Sequence, residues 1–353
     1  MRLAGPLPVP SAAYTITDPQ MVWGWRPVGP AEPAVVGDVI VGRVLSVSAH
    51  TFYQDRTGWP ADLYVGQVAL FVFGNRYATD AYEAVVPDTI PTEVAMVSAS
   101  GVVAEVRSAN SALKTPTMIE VLGRAVDEDL QPISTLDQPV VRRRRGAKTE
   151  PRSKLILVVG TSMNAGKSTM ATAATRALTM AGHTVKASKV TGTASLKEIF
   201  GPRSAGAVAI NDFSFLGYPS TYLLPQDEVL GIFDTLDHAI ANNPDNYWVV
   251  EIADGICQRE TATLLASERV QDRIHRLVFC AREPLSVKGG VDTLSEVYGL
   301  APDLIGGLVA AAPLGRAEIR QAGITTPVFN ALDPDHAALA ALLTGDDEGG
   351  GDR

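Results

Sequence analysis

The stretch Lys154–Gly182, KLILVVGTSMNAGKSTMATAATRALTMAG, decides how this chain is read. It begins with the apolar run Leu155-Ile156-Leu157-Val158-Val159, too short to cross a membrane and rich in β-branched residues, as a strand buried on both faces is. The loop Gly160-Thr161-Ser162-Met163-Asn164-Ala165-Gly166 follows, then Lys167-Ser168-Thr169. Beyond it, a segment rich in Ala, Thr, Leu and Met predicts a helix that stops at Gly182, a natural C-terminal cap. Strand, glycine loop, Gly-Lys-Ser and helix form the context of a phosphate-binding P-loop. There, backbone N–H groups and the helix N-terminus present positive charge to phosphates. Lys167 reaches the β and γ groups, and the Ser168 hydroxyl holds Mg²⁺. Nucleotide contacts are expected from Gly160, Thr161, Asn164, Ala165, Gly166, Lys167, Ser168 and Thr169.

A strict G-x-x-x-x-G-K-[ST] would place glycine where Thr161 stands; here it comes one residue earlier. The spacing Gly-Thr-x-x-x-x-Gly-Lys-Ser resembles the loop of dethiobiotin synthetase, the cobyrinic acid amide synthases and the molybdopterin-guanine dinucleotide biosynthesis adaptor proteins. The resemblance implies a P-loop NTPase with ATP, or alternatively GTP, and Mg²⁺ as cofactors.

At 353 residues, 46% hydrophobic and 20% charged, the chain has room for two domains with a sizeable core. Its net charge of −9 argues against nucleic acid or an anionic membrane as partner. Cys257 and Cys280 show no ligand or disulfide spacing and read as buried apolar filler. The N-terminus lacks the basic start and apolar run of a signal peptide, and no stretch nears the ~20 apolar residues of a membrane span. A cytoplasmic protein is expected.

The chain from its start to residue 36 is proline-rich and reads as an extended lead-in. Residues 37–135 predict a β domain, a barrel or sandwich, with strands at 38–47, 63–73, 82–86, 94–98, 102–107 and 118–121. Two polar-aromatic stretches within it, Phe73-Gly74-Asn75-Arg76-Tyr77 and His50-Thr51-Phe52-Tyr53, read as turns with exposed side chains. Residues 136–153, with the run Arg142–Arg145, read as a solvated basic linker. A patch for nucleic acid or an anionic partner is the alternative, weighed down by the acidic balance elsewhere, and arginines leaning over the nucleotide phosphates are a third reading.

From 154 to 344, strands and helices alternate, the signature of a parallel sheet with helical crossovers and thus of an α/β P-loop domain. Strands are expected at 184–189, 205–211, 247–253, 274–281, 304–312 and 327–330. Helices are expected at 228–242, 259–269, 292–298, 316–321 and 335–343. The Gly/Asp-rich tail, 345–353, reads as disordered.

A P-loop needs acids at the ends of neighbouring strands to hold Mg²⁺ and position the reacting group. Glu251 ends the apolar run Tyr247-Trp248-Val249-Val250, a Walker-B-like placement, with Asp254 just beyond. Asp212 follows the third strand and leads into a candidate substrate loop, Gly217–Thr221. Lys186 and Lys189, on the strand after the P-loop helix, are candidates for holding a substrate carboxylate or the transferred phosphoryl group. Candidate catalytic residues are therefore Lys167, Asp212, Glu251 and Lys189; candidate metal ligands are Ser168, Asp212 and Glu251, with Asp254 open.

Glu251 resembles the Glu of a Glu-Gly-Ala-Gly-Gly segment in dethiobiotin synthetase, although Ile252 and Asp254 replace glycines, and Lys189-Val190 resembles its Lys-Pro-Val. The order Gly160-Thr161, Gly166-Lys167, Asp212-Phe213, Glu251 and Cys280-Ala281-Arg282-Glu283-Pro284 is similar to that of an uncharacterised P-loop family related to D-glutamate N-acetyltransferase-like proteins. That likeness covers the C-terminal 200 or so residues. The signature lysine of the Min and nitrogenase-iron-protein ATPases is missing near position 162, and no Asn-Lys-x-Asp guanine-reading motif is present.

The expectation is an ATP-dependent, Mg²⁺-requiring enzyme that activates the carboxylate of a small molecule or amino acid by phosphoryl transfer, for ligation or cyclisation. The alternative is a nucleotide-binding switch or adaptor NTPase acting on a protein partner. For the β domain, substrate cap, partner dock and homodimer interface all suit.

Overall fold

The computed structural model describes residues 1–3, 5–144, 146, 150–333 and 335–345. Two compact units emerge. The first comprises residues 1–143, 192–197 and 213–224; the second comprises 144–191, 198–212 and 225 onward.

The first unit is β-rich. Its strands are β1 (Gly24–Arg26), β2 (Val39–Ser46), β3 (Phe52–Gln54), β4 (Pro60–Asp62), β5 (Val68–Phe73), β6 (Arg76–Tyr77), β7 (Tyr82–Val85), β8 (Glu93–Met96), β9 (Val102–Ala109) and β10 (Thr117–Val126). Pairing runs from β10 to β2, β5, β9, β8 and back to β10, a closed ring in which β5 and β9 alone run parallel. Ile40, Val44, Phe71, Phe73, Met96, Val103 and Ile119 fill its interior.

The lead-in expected before residue 37 is instead part of this unit. β1 pairs with β10, Arg2 bridges to Gly24, and Val9, Ile16 and Val22 are buried. Prolines hid these contacts, because they interrupt periodicity without preventing burial. The polar-aromatic stretches are exposed only in part: Thr51 and Phe52 reach solvent, but other residues do not. Phe73 and Tyr53 are buried, and Asn75 donates to the Tyr222 carbonyl (3.1 Å) while accepting from the Val86 N–H (2.8 Å). Burial, reinforced by the charge of Arg76, lowers the His50 pKa to about 4. Residues 213–224 also pack in this unit: a Cβ on Gly217 would sit 2.0 Å from the Thr135 carbonyl oxygen. The expected substrate loop is thus a packed segment.

The second unit is a six-stranded sheet in the order β13-β12-β14-β11-β15-β16, every neighbouring pair parallel. Its strands are β11 (Lys154–Gly160), β12 (Val185–Lys189), β13 (Ala209–Asp212), β14 (Tyr247–Glu251), β15 (Ile274–Cys280) and β16 (Leu304–Gly306). The helices are α1 (Lys167–Met180), α2 (Leu196–Ser204), α3 (Gln226–Ile240), α4 (Arg259–Leu265), α5 (Glu268–Gln271), α6 (Pro284–Tyr298), α7 (Pro313–Gln321) and α8 (His336–Thr344). β11 is entirely buried after Lys154, and one face of the sheet packs on α1 and α8 through Ile156, Val158, Met170, Leu178, Leu339 and Leu343.

Several element boundaries depart from the sequence reading. α2 was missed because Gly201 and Pro202 break its pattern, and the strand expected from 205 begins only at Ala209, after a turn at Gly206 (φ +113°). The strand expected over 304–312 stops at Gly306; Gly307 turns at φ +91°, and a short 3₁₀ helix, Leu308–Ala311, follows. α6 starts eight residues earlier than expected, at Pro284, where Glu283 and Ser286 form a capping box. Its Gly290 lets the helix lie against Phe279, where a Cβ would approach the ring to 2.0 Å.

The described arginines of the basic run, Arg142 to Arg144, are exposed, as expected of a solvated linker, but the segment is also tied to the fold. Arg143 lies over the Tyr218 ring, 5.0 Å from its centroid. In the second unit, the Arg144 N–H donates to Thr235 (2.9 Å), the Gly146 N–H to Asp234 (2.9 Å), and Arg152 pairs with Asp237 (3.1 Å). Arg145 and residues 147–149 of that run, and 346–353 of the tail, lie outside the described residues.

Candidate functional site

The site sits within the second unit, where β11 delivers its chain to the loop at the carboxyl ends of the strands, the usual place for ligands in an open parallel sheet. The loop leaves β11 at Gly160. A Cβ there would lie 2.7 Å from the Cys280 carbonyl oxygen and 3.0 Å from Lys167 Cγ, so only glycine lets the strand end and the lysine stem pass so closely. The Thr161 N–H donates to that same Cys280 carbonyl (3.0 Å), fastening the loop to β15. Asn164 (φ +60°) and Gly166 (φ +98°) adopt left-handed conformations, and Gly166 is the N-cap of α1. Left-handed residues in such a loop turn successive N–H groups inward, the arrangement that cradles an anion.

Two further segments brace the loop. The Ile256 N–H donates to the Gly160 carbonyl (2.9 Å), and Gly255 passes so near that a Cβ would be 2.2 Å from the Thr161 carbonyl oxygen. Gly307 lies against Ala165, whose carbonyl oxygen would be 2.4 Å from a Cβ at that position. Neither glycine was singled out from sequence, because each acts through contacts distant in the chain.

Lys167 Nζ donates to the Ser162 carbonyl (2.7 Å), closing its side chain over the loop. Burial lowers its pKa below the usual lysine value; Glu251 and Asp254 pull upward, and Lys189 adds to the lowering. Two ammonium groups and two carboxylates therefore share one neighbourhood. The Cys280 thiol, fully buried, is pushed up to about 12, so this cysteine is inert filler, whereas Cys257 is exposed rather than buried.

Ser168 Oγ donates to Glu251 Oε1 at 3.0 Å. Strand register then lines up the rest: Glu251 is the partner of Val158 on β11 and of Lys189 on β12, and Lys189 is the partner of Asp212 on β13. Lys189, Asp212 and Glu251 thus form a row across three adjacent strand ends, all less than 10% exposed. Beneath it, the Trp248 indole N–H donates to Ser188 Oγ (2.7 Å), which donates to Asn211 Oδ1 (2.5 Å). This buried polar chain was not read from sequence; only the serine and asparagine preceding Lys189 and Asp212 hinted at it.

Lys186 does not join the site. Its Nζ donates to the Ile240 carbonyl (2.6 Å) and Asn242 Oδ1 (2.8 Å) near the N-terminal end of β12, three residues before Lys189 and away from the strand ends that carry the site. A short five-residue strand puts its two lysines at opposite ends. Glu283 likewise serves as a helix cap.

The donor set fits Mg²⁺. That ion takes one or two protein oxygens and fills its remaining positions with phosphate and water. Ser168 with Glu251 offers this, and among the described residues no group of three or more His, Cys, Asp and Glu side chains makes a protein-only cage. Asn164 is exposed on the loop and Thr169 in the first turn of α1, while Ala165 is buried.

The second unit is, by these features, a parallel α/β domain built around a P-loop. No family model matches the chain, and no curated protein matches it. Among solved structures it is similar to the signal recognition particle receptor FtsY from Elizabethkingia anophelis in complex with GDP. The identity is 14% over 59% of this chain and 68% of that one, with a TM-score of 0.38. FtsY from Thermotoga maritima gives 18% identity over 59% and 74%, TM-score 0.36. A nucleotide-binding protein from Archaeoglobus fulgidus in complex with ADP gives 17% over 56% and 88%, TM-score 0.32. Among the described residues, no helix is long and apolar enough to cross a membrane.

Proposed function

We propose that this protein binds ATP with Mg²⁺ and activates the carboxylate of a small acid or amino acid by phosphoryl transfer, as a ligase or cyclising enzyme does. One observation carries the reading. A second buried cation, Lys189, stands in strand register beside the Ser168–Glu251 pair, within electrostatic reach of Lys167. A transfer reaction must compensate charge on both the donor phosphate and the acceptor, and a second cation beside the Ser168–Glu251 pair suits that task.

In this reading the loop N–H groups and Lys167 hold the β and γ phosphates, and Ser168 and Glu251 are the oxygens offered to Mg²⁺, which when bound neutralises charge between the phosphates. Lys189 takes the acceptor's carboxylate. Asp212, at the far end of the row, is placed to orient the acceptor or to hold a water on the metal. The acidic surface balance suits a small-molecule substrate rather than nucleic acid, and homodimer formation is compatible with it.

The test is phosphate release from ATP or GTP with Mg²⁺, alone and against a panel of small carboxylic and amino acids, with Lys167→Ala as control. Stimulation by one acid, lost in the variant, supports the proposal. Slow release indifferent to every acid refutes it.

A further inference from the structure

Lys189 is ion-paired to Glu198 of α2. The partners differ in access: the lysine side chain is 7% exposed and the glutamate side chain 36%. The acid on the neighbouring strand end, Glu251, accepts from Ser168. Glu198 instead comes from α2: its Oε2, the oxygen paired with Lys189, is buried, while the rest of its side chain reaches solvent. A small cavity of about 10 Å³ lies beside the pair, lined by Lys189, Glu198 and Glu251 together with the apolar Ala171, Ile199 and Val249.

A buried ammonium needs a counter-charge at all times, because stripping it of both water and partner is strongly unfavourable. The glutamate, whose side chain is 36% exposed, can move into water more readily than the buried lysine, provided another anion replaces it. The pair is therefore asymmetric: the lysine is fixed and the glutamate is replaceable. An incoming carboxylate can take the place of Glu198 while the lysine stays paired.

We propose that Glu198 occupies the seat of the acceptor's anionic group and yields it on binding, so that Glu198 sets the affinity and selectivity of the acceptor subsite. This rests on the reading of Lys189 given above. Glu198 is a specificity-determining residue that competes with substrate; it takes no part in the transfer itself. Its consequence is that weakly held anions fail to displace it, and only an acceptor with additional contacts succeeds.

The test uses acetate as the probe. Its binding to the full-length protein is followed by broadening of the acetate methyl signal, in the wild type, Glu198→Gln, Lys189→Gln and the double variant. Glu198 is partly exposed, so its amide replacement preserves the helix. The expected result is acetate binding on the order of tenfold tighter in Glu198→Gln, the scale of a close charge pair's coupling, and abolished in both proteins lacking the lysine. Equal affinity in wild type and Glu198→Gln, no acetate binding to any of the proteins, or a gain that survives loss of Lys189 overturns the proposal. ADP titration of the same proteins reads the nucleotide site separately. Absence of ADP binding would sink the wider reading while leaving the acetate result to stand or fall on its own.

Discussion

The phosphate loop and the row of strand-end side chains lie in one site but are held by different means. The loop is one continuous piece of chain whose shape comes from left-handed residues, a helix cap and three close glycine contacts. The row is assembled from β12, β13 and β14, and its geometry exists only because three strands pair in one register. A continuous motif concentrates its function in a few backbone positions and one lysine. An assembled row spreads it over side chains whose support lies elsewhere. The two should therefore respond differently to substitution: changes in the loop act steeply and locally, changes in the row act through charge.

The steepest test is Lys167→Met. Phosphate release should fall on the order of a thousandfold, the scale of losing a preorganised charge at a transferring phosphoryl group. Thermal stability should move the opposite way. Burial depresses the Lys167 pKa, so between the folded value and the ordinary value near 10.5 the unfolded chain binds more protons than the native one, and stability rises with pH through that window. At neutral pH the buried charge is a cost, and its removal should raise Tm by about 2–4 °C for a domain of this size. A variant that lost activity and stability together would mean the lysine is a structural anchor. Phosphate affinity of the wild type should weaken as pH rises toward this depressed pKa, earlier than for an ordinary lysine.

Glu251→Gln probes the junction between loop and row. Its amide still accepts from Ser168 but loses the charge, so turnover should drop roughly a hundredfold while ADP, measured by calorimetry without Mg²⁺, binds as before. Equal loss of ADP binding would place Glu251 in the loop's support rather than in metal binding.

Gly255→Val tests the brace. A Cβ would lie 2.2 Å from the Thr161 carbonyl oxygen, a backbone atom that cannot step aside. The loop should be displaced, with about 1–3 kcal/mol lost in denaturant unfolding and ADP affinity lost with it. Undiminished affinity would show that the 254–256 segment leaves the loop independent.

What was legible in the sequence follows the same division. Gly160 through Thr169 could be read directly, because spacing along one chain encodes a loop's shape. Glu251 and Asp212 were legible as acids ending apolar runs. The pairing of Lys189 with Glu198 was not, since α2 carries Gly201 and Pro202 and does not show a helix's periodicity. Lys186 and Lys189 were read together as lysines near the end of one strand, although an offset of three places them on opposite faces of it. Cys280 was read as filler and is buried, whereas Cys257 is exposed. The sequence did distinguish them: Cys280 ends the apolar run Leu277–Phe279, whereas Cys257 sits in a connection before Gln258 and Arg259.

The smallest effect expected is the one that separates those two lysines. Lys186→Met removes hydrogen bonds to the Ile240 carbonyl and Asn242. The bonds involve a charged donor at a partly buried strand end, so about 1 kcal/mol of stability should be lost, with the acid-stimulated rate and its KM unchanged. Lys189→Met removes the row's only lysine. It should raise KM for the stimulating acid while leaving ADP affinity intact, because the phosphates are held by the loop. If instead Lys186→Met altered KM and Lys189→Met did not, the acceptor would have to bind near the N-terminal end of β12. The register that joins Lys189 to Glu251 and Asp212 would then serve folding alone.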